Sequence, residues 1–233
     1  MSSEIFYLVL TAITISCLHT ATGPDHYLPF IALSKSNNWT VNRTIFITLI
    51  CGIGHVGSSV VLGLGGIALG WSLSKITWLE NIRGGIAAWV MFILGIIYII
   101  YAFIQLKTNK LHKHFDVCDD GNMYVYEHQD GTVVPPQEKR KVTPWVMFIV
   151  FVLGPCEPLI PLLSFPAANQ SIYGITLLVS VFTLFTLVTM VTMVLLGYHG
   201  ISFFKSLKME KYIHVLSGSV IMLCGAGMLF MGW

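Results

Sequence analysis

Six apolar stretches, each long enough to cross a bilayer, leave this chain no soluble fold. They run from Ile5 to Leu33, Thr44 to Gly70, Gly85 to Leu106, Pro144 to Phe165, Ile172 to Gly200 and Tyr212 to Trp233. A hydrocarbon core of about 30 Å takes roughly 20 apolar residues of helix. Only 10% of the residues are charged, against about 25% in an ordinary globular domain, so no soluble surface can be clothed. A net charge of +2 gives no basic field for nucleic acid. The expected class is an all-α integral membrane protein of six transmembrane helices whose partner is the lipid bilayer. No catalytic constellation marks it as an enzyme.

The charges set an orientation. Of 13 Lys and Arg residues, all but Lys75 and Arg83 fall in the connections after the first, third and fifth helices. Basic residues stay on the cytoplasmic side, which puts both termini outside and the long connection, 107–143, in the cytoplasm of a bacterial inner membrane. The first helix lacks a basic leader, with Glu4 in its place, and reads as a retained span. Residues 1–106 and 144–233 then form two three-helix units. Within the connection, Met123 to Val134 alternates around Asp130-Gly131, the pattern of a small β-hairpin. His112, His114, Asp116, Cys118, Asp119, Asp120 and His128 also lie there, a composition open to metal binding or to simple solvation.

The two units share a motif. Gly23-Pro24-Asp25-His26 interrupts the first helix and Gly154-Pro155-Cys156-Glu157 the fourth, each followed by a further proline. Proline removes a backbone donor and clashes with the preceding turn, so helices 1 and 4 are expected to be broken at Gly-Pro. Three helices per unit force the second copy to insert upside down. The result is a 3+3 inverted repeat, an arrangement that places binding sites at broken helices near the midplane.

Ionisable residues in a span cost about 2.5–3.5 kcal/mol each on insertion scales and normally face a cavity or partner. This chain has His19, Asp25 and His26 in helix one, His55 in helix two and Glu157 in helix four. In an unbroken helix, seven residues would separate His19 from His26 by about 10.5 Å along the axis; the Gly23-Pro24 break can close that gap. Imidazole and carboxylate suit first-row divalent cations. His19, Asp25, His26, His55, Cys156 and Glu157 are therefore the candidate metal site, with nickel or cobalt first and zinc or iron next. The glycines around His55 read as close helix packing, and Thr183, Thr186, Thr189 and Thr192 as threonines bonding their own helix. His199 and His214 read as interface anchors. Cys17, Cys51 and Cys224 read as small buried hydrophobes.

These residues bear a resemblance. His19 with Asp25-His26, followed by Gly54-His55, resembles the nickel/cobalt permease family and its urease-accessory-type relatives, with five residues between His19 and Asp25 where that family has four. Gly154-Pro155-Cys156-Glu157-Pro158 resembles the matching segment of the wider lysine-exporter superfamily, which includes transmembrane thiol–disulfide conduits. The resemblance implies a transporter of a divalent transition metal, with His19, Asp25, His26 and His55 as ligands. The alternatives are a thiol–disulfide electron conduit, which needs a redox cysteine in each half, a small-solute exporter, which would want a basic residue inside a span, and an assembly partner of a metalloenzyme. Association of the chain with itself stays open.

Overall fold

The computed structural model describes residues 3–108, 112–117, 123–128, 142–168, 171–203 and 207–231. The membrane body is all helical. Helix α1 (Ser3–Thr22) ends at Gly23, a short 3-10 turn covers Pro24–His26, and α2 (Leu28–Ser36) follows. Helix α3 (Val41–Ala68) starts on Thr40, whose side chain accepts from the Arg43 amide at 3.4 Å, and stops just before Gly70, which takes the left-handed conformation at φ 67°. Then come α4 (Leu73–Thr108), the interrupted pair α5 (Val142–Leu153) and α6 (Leu159–Ala168), α7 (Ile172–Phe203) and α8 (Leu207–Phe230).

Five of these are long and apolar enough to cross a membrane: the spans Ile5–Thr22, Val41–Ala68, Leu73–Leu106, Ile172–Gly200 and Tyr212–Phe230. Neither α5 nor α6 reaches that length alone. The outer faces carry exposed Phe46, Val61, Ile93, Ile97, Leu184, Val188, Leu196 and Leu223. A soluble protein rarely leaves such a surface to water, and here it meets lipid.

Glycines let the helices approach. A Cβ on Gly225 would meet the backbone nitrogen of Phe92 at 2.5 Å, and one on Gly95 would run into the backbone of Met222, so α4 and α8 touch backbone to backbone. Along α3, a Cβ on Gly54 would meet Phe148 and Val152 of α5 at 2.8 Å, whereas Gly57 faces open space. The packed neighbours are α1 with α7, α3 with α5 and α7, and α4 with α8.

Two features differ from the sequence reading. Helix α4 begins at Leu73 rather than Gly85, which brings Glu80 and Arg83 inside the span Leu73–Leu106. A basic residue therefore does lie within the membrane body. In the long connection, strands β1 (His112–Val117) and β2 (Met123–His128) pair antiparallel, His112 opposite His128 and Val117 opposite Met123. Met123–His128 thus pairs backward along the chain; the expected turn at Asp130-Gly131 lies outside the described residues, as do Cys118, Asp119 and Asp120.

Candidate functional site

The end of α1 is where three imidazoles meet. The Gly23 amide still bonds the His19 carbonyl at 3.0 Å, closing the last helical turn. Pro24 cannot continue the ladder, and the chain tightens into the 3-10 turn. His26 thereby swings back over His19, with ring centroids 4.8 Å apart, well inside the about 10.5 Å of a continuous helix. His55, from the middle of α3, stands edge-on to His26 at 5.1 Å. One ligand nitrogen from each of the three can be chosen so that all lie within 4.8 Å of one another.

Two of the other ring nitrogens are already engaged. His26 Nδ1 lies 3.2 Å from the Gly23 carbonyl and 3.2 Å from Asp25 Oδ1, and His55 Nδ1 lies 3.3 Å from the Phe151 carbonyl. Oxygen acceptors at Nδ1 hold the proton there and turn the Nε2 lone pair inward, the arrangement that tunes metal-binding histidines. Among the described residues, Nε2 of His19, His26 and His55 are all buried without a hydrogen-bond partner. Buried polar atoms are rarely left so. Nitrogens bound at about 2.0–2.1 Å to one tetrahedral ion stand about 3.3 Å apart, so a modest contraction would let this trio hold one.

Asp25 stands behind the trio, orienting His26. Cys156 and Glu157, assigned to the same site from the sequence, are not gathered with it. Glu157 is exposed, and Cys156, 0% exposed, lies in the apolar cluster of Ala12, Val56, Leu159, Leu163, Leu178 and Phe182. A small cavity is lined by Asp25, His26 and His55 on the histidine side and by Phe151 and Gly154 at the second interruption, with Met91.

That interruption has its own polar centre. In a continuous helix the Phe151 and Gly154 carbonyls would accept from residues 155 and 158, both prolines without an N–H. His55 sits against the first. Arg83 Nη2 donates to the second at 3.1 Å. The Cys156 amide donates to Ser59 Oγ at 3.2 Å and Glu80 Oε1 at 3.1 Å. Arg83 and Glu80 pair at 2.8 Å, and Ser59 Oγ stands 2.5 Å from each. Sequence reading missed this centre. Counted singly, Glu80 and Arg83 look like loop charges; their i, i+3 spacing on one helix face was the available signal.

The threonines of α7 divide. Thr183 and Thr192 bond carbonyls of their own helix at 2.7 Å, while Thr189 Oγ1 donates to Cys17 Sγ at 3.5 Å. His199 bonds the Leu195 carbonyl and His214 the Tyr98 hydroxyl. Cys51 and Cys224 are buried in one apolar cluster with Phe30 and Phe151.

Residues 6–227 match the model of the family described as cytochrome C biogenesis protein transmembrane region. The chain belongs to that family. No curated protein matches it, and no solved structure does. Membership overturns the resemblance to nickel/cobalt permeases, and with it the reading of the chain as a nickel or cobalt transporter. That resemblance hung on a few histidines around one Gly-Pro break. The family pattern extends over almost the whole chain.

Proposed function

We propose that this member of the cytochrome C biogenesis transmembrane family carries reducing equivalents across the bilayer by thiol–disulfide exchange. The observation that carries the reading is the family match over residues 6–227, in a chain whose second helix interruption holds a cysteine. In this reading α5 and α6 together make a sixth crossing, and the two halves form a 3+3 inverted repeat. The packing supports it. Exchanging the halves turns the α1–α7 contact into α5–α3 and leaves α4–α8 unchanged, and all three pairings occur. The basic connections then face the cytoplasm, with both termini outside.

Cys156 is the thiol assigned to exchange, and its partner is another cysteine of the chain; Cys17, Cys51 and Cys224 lie with it in the membrane body, and all four are free thiols. A protein dithiol on one face attacks the internal disulfide. The S–S bond breaks, a mixed disulfide forms, and the displaced sulfur takes up a proton. The donor's second thiol then releases the donor as a disulfide, leaving two thiols here. The reverse sequence on the other face reduces an acceptor disulfide, so two electrons and two protons pass per cycle. Cys156 is enclosed, so exchange requires the Gly154–Pro158 segment to swing, and its prolines make that segment a hinge. Alkylation trapping of the chain in membranes tests this reading. Mild oxidant should remove two titratable thiols reversibly from the native chain and none from Cys156→Ser. Thiols that all stay free under oxidant would refute it.

A second reading of the same protein rests on the three orphaned imidazole nitrogens: a first-row transition metal ion, nickel, cobalt, zinc or iron, held by His19, His26 and His55. Calorimetry in detergent should show a site that His26→Ala abolishes. Equal binding to the native and variant chains would remove it.

A further inference from the structure

The connection between α4 and α5 carries histidines that neither helix interruption uses. Its strands β1 and β2 pair in one register, with His112 opposite His128 and His114 opposite Tyr126. Alternate residues of a strand share a face, and directly opposed residues of an antiparallel pair share it too. His112, His114 and His128 therefore occupy one face of the hairpin. The other face takes Phe115 opposite Val125 and Val117 opposite Met123, with Lys113 set against Glu127.

The spacing of the three positions suits one ion. Directly opposed residues such as His112 and His128 have Cβ atoms about 4.5–5.5 Å apart, and diagonal neighbours such as His114 and His128 about 7–8 Å, still within reach of long side chains. Along the strand, His112 and His114 are separated by about 6.5 Å. Asp116 lies two positions further on, about 13 Å from His112, too far to share an ion with the first pair. We propose that His112, His114 and His128 form a zinc-class metal site on one face of this hairpin, with the fourth position left to water.

The ligand chemistry narrows the ion. Imidazole suits the later first-row divalent metals, and neither strand holds a cysteine. Three neutral nitrogens with an open fourth position fit tetrahedral zinc. The ion also meets a need of the fold. A two-stranded hairpin is marginal by itself in water, and His112 with His128 is the pair farthest from the residues that join the strands. Zinc held there ties β1 to β2, so binding and ordering of the hairpin are coupled. Helix α4 ends at Thr108, four Cα steps before His112, which keeps the site within about 15 Å of the end of a membrane-crossing helix. The proposal stands apart from the thiol–disulfide reading and from the ion of the His19–His26–His55 trio.

The test is calorimetric titration of zinc chloride into the full chain in detergent, carrying His26→Ala so that the trio's site is out of the count. One site should remain. His114→Ala or His128→Ala should weaken it about a hundredfold or more, since a lost ligand costs more than a lost outer partner. Glu127→Gln, on the opposite face, should leave it unchanged. Joining Lys113→His to His114→Ala keeps three histidines in the hairpin but moves one across the sheet, and should restore nothing. Hydrogen exchange on the native chain gives the second readout: zinc should slow exchange across both strands. No zinc site in the His26→Ala chain, a site indifferent to His114→Ala, recovery through Lys113→His, or zinc binding without added protection of the strands would each overturn the proposal.

Discussion

The two helix interruptions solve one problem in opposite ways. Each frees backbone groups at membrane depth, where they must find partners inside the protein. At the first, the chain supplies its own: the His26 amide bonds the Gly23 carbonyl at 3.1 Å and the Tyr27 amide the Pro24 carbonyl at 3.3 Å. Among the described residues, the Nε2 atoms of its two histidines are left without a hydrogen-bond partner. At the second, the partners come from far away in sequence: the Ser59 hydroxyl of α3 and the charged Glu80 and Arg83 of α4. A locally satisfied break is free to present ligands. A break satisfied from afar is tied to the packing of three helices.

That contrast predicts unequal responses to mutation. Arg83→Leu should cost most, about 3–5 kcal/mol, because removing one member of a buried pair strands the other; thermal unfolding in detergent would show it, and a loss no larger than that of His19→Ala would dissolve the contrast. Gly225→Ala, which forces a methyl onto the Phe92 backbone, should cost about 1–3 kcal/mol by the same measurement. At the first break, Asp25→Asn should leave unfolding nearly unchanged while weakening metal binding about 10–100-fold, the usual penalty for losing an outer partner of a ligating histidine. Calorimetry reads the second effect, and a collapse in stability would contradict the first. Thr192→Val, on an exposed face, should shift stability by less than about 0.5 kcal/mol.

Hydropathy made the membrane body legible, since residues that meet lipid must be apolar along a whole span. The meeting of His19 and His26 was legible because Gly23-Pro24 names the place where a helix must turn. Three things were not. Helix α4 starts early because Glu80 and Arg83 neutralise each other against Ser59, a fact that exists only once α3 is beside them. Cys156 was assigned to the histidines by the symmetry of the motif; packing places its side chain in an apolar cluster instead, with its amide against Glu80. The partner of strand β2 was ambiguous because Asp-Gly occurs on both sides of it, at Asp120-Gly121 and Asp130-Gly131. The family itself was obscured by the same histidines that made the first break conspicuous.

The central claim is that electrons cross the bilayer through the thiols of this chain. The most direct measurement places the native protein in sealed liposomes with a membrane-impermeant disulfide dye inside and an impermeant phosphine reductant outside. The account predicts that the dye is reduced in liposomes holding the native chain and stays oxidised in those holding Cys156→Ser. Equal rates for the two, or no reduction with the native chain, would contradict it.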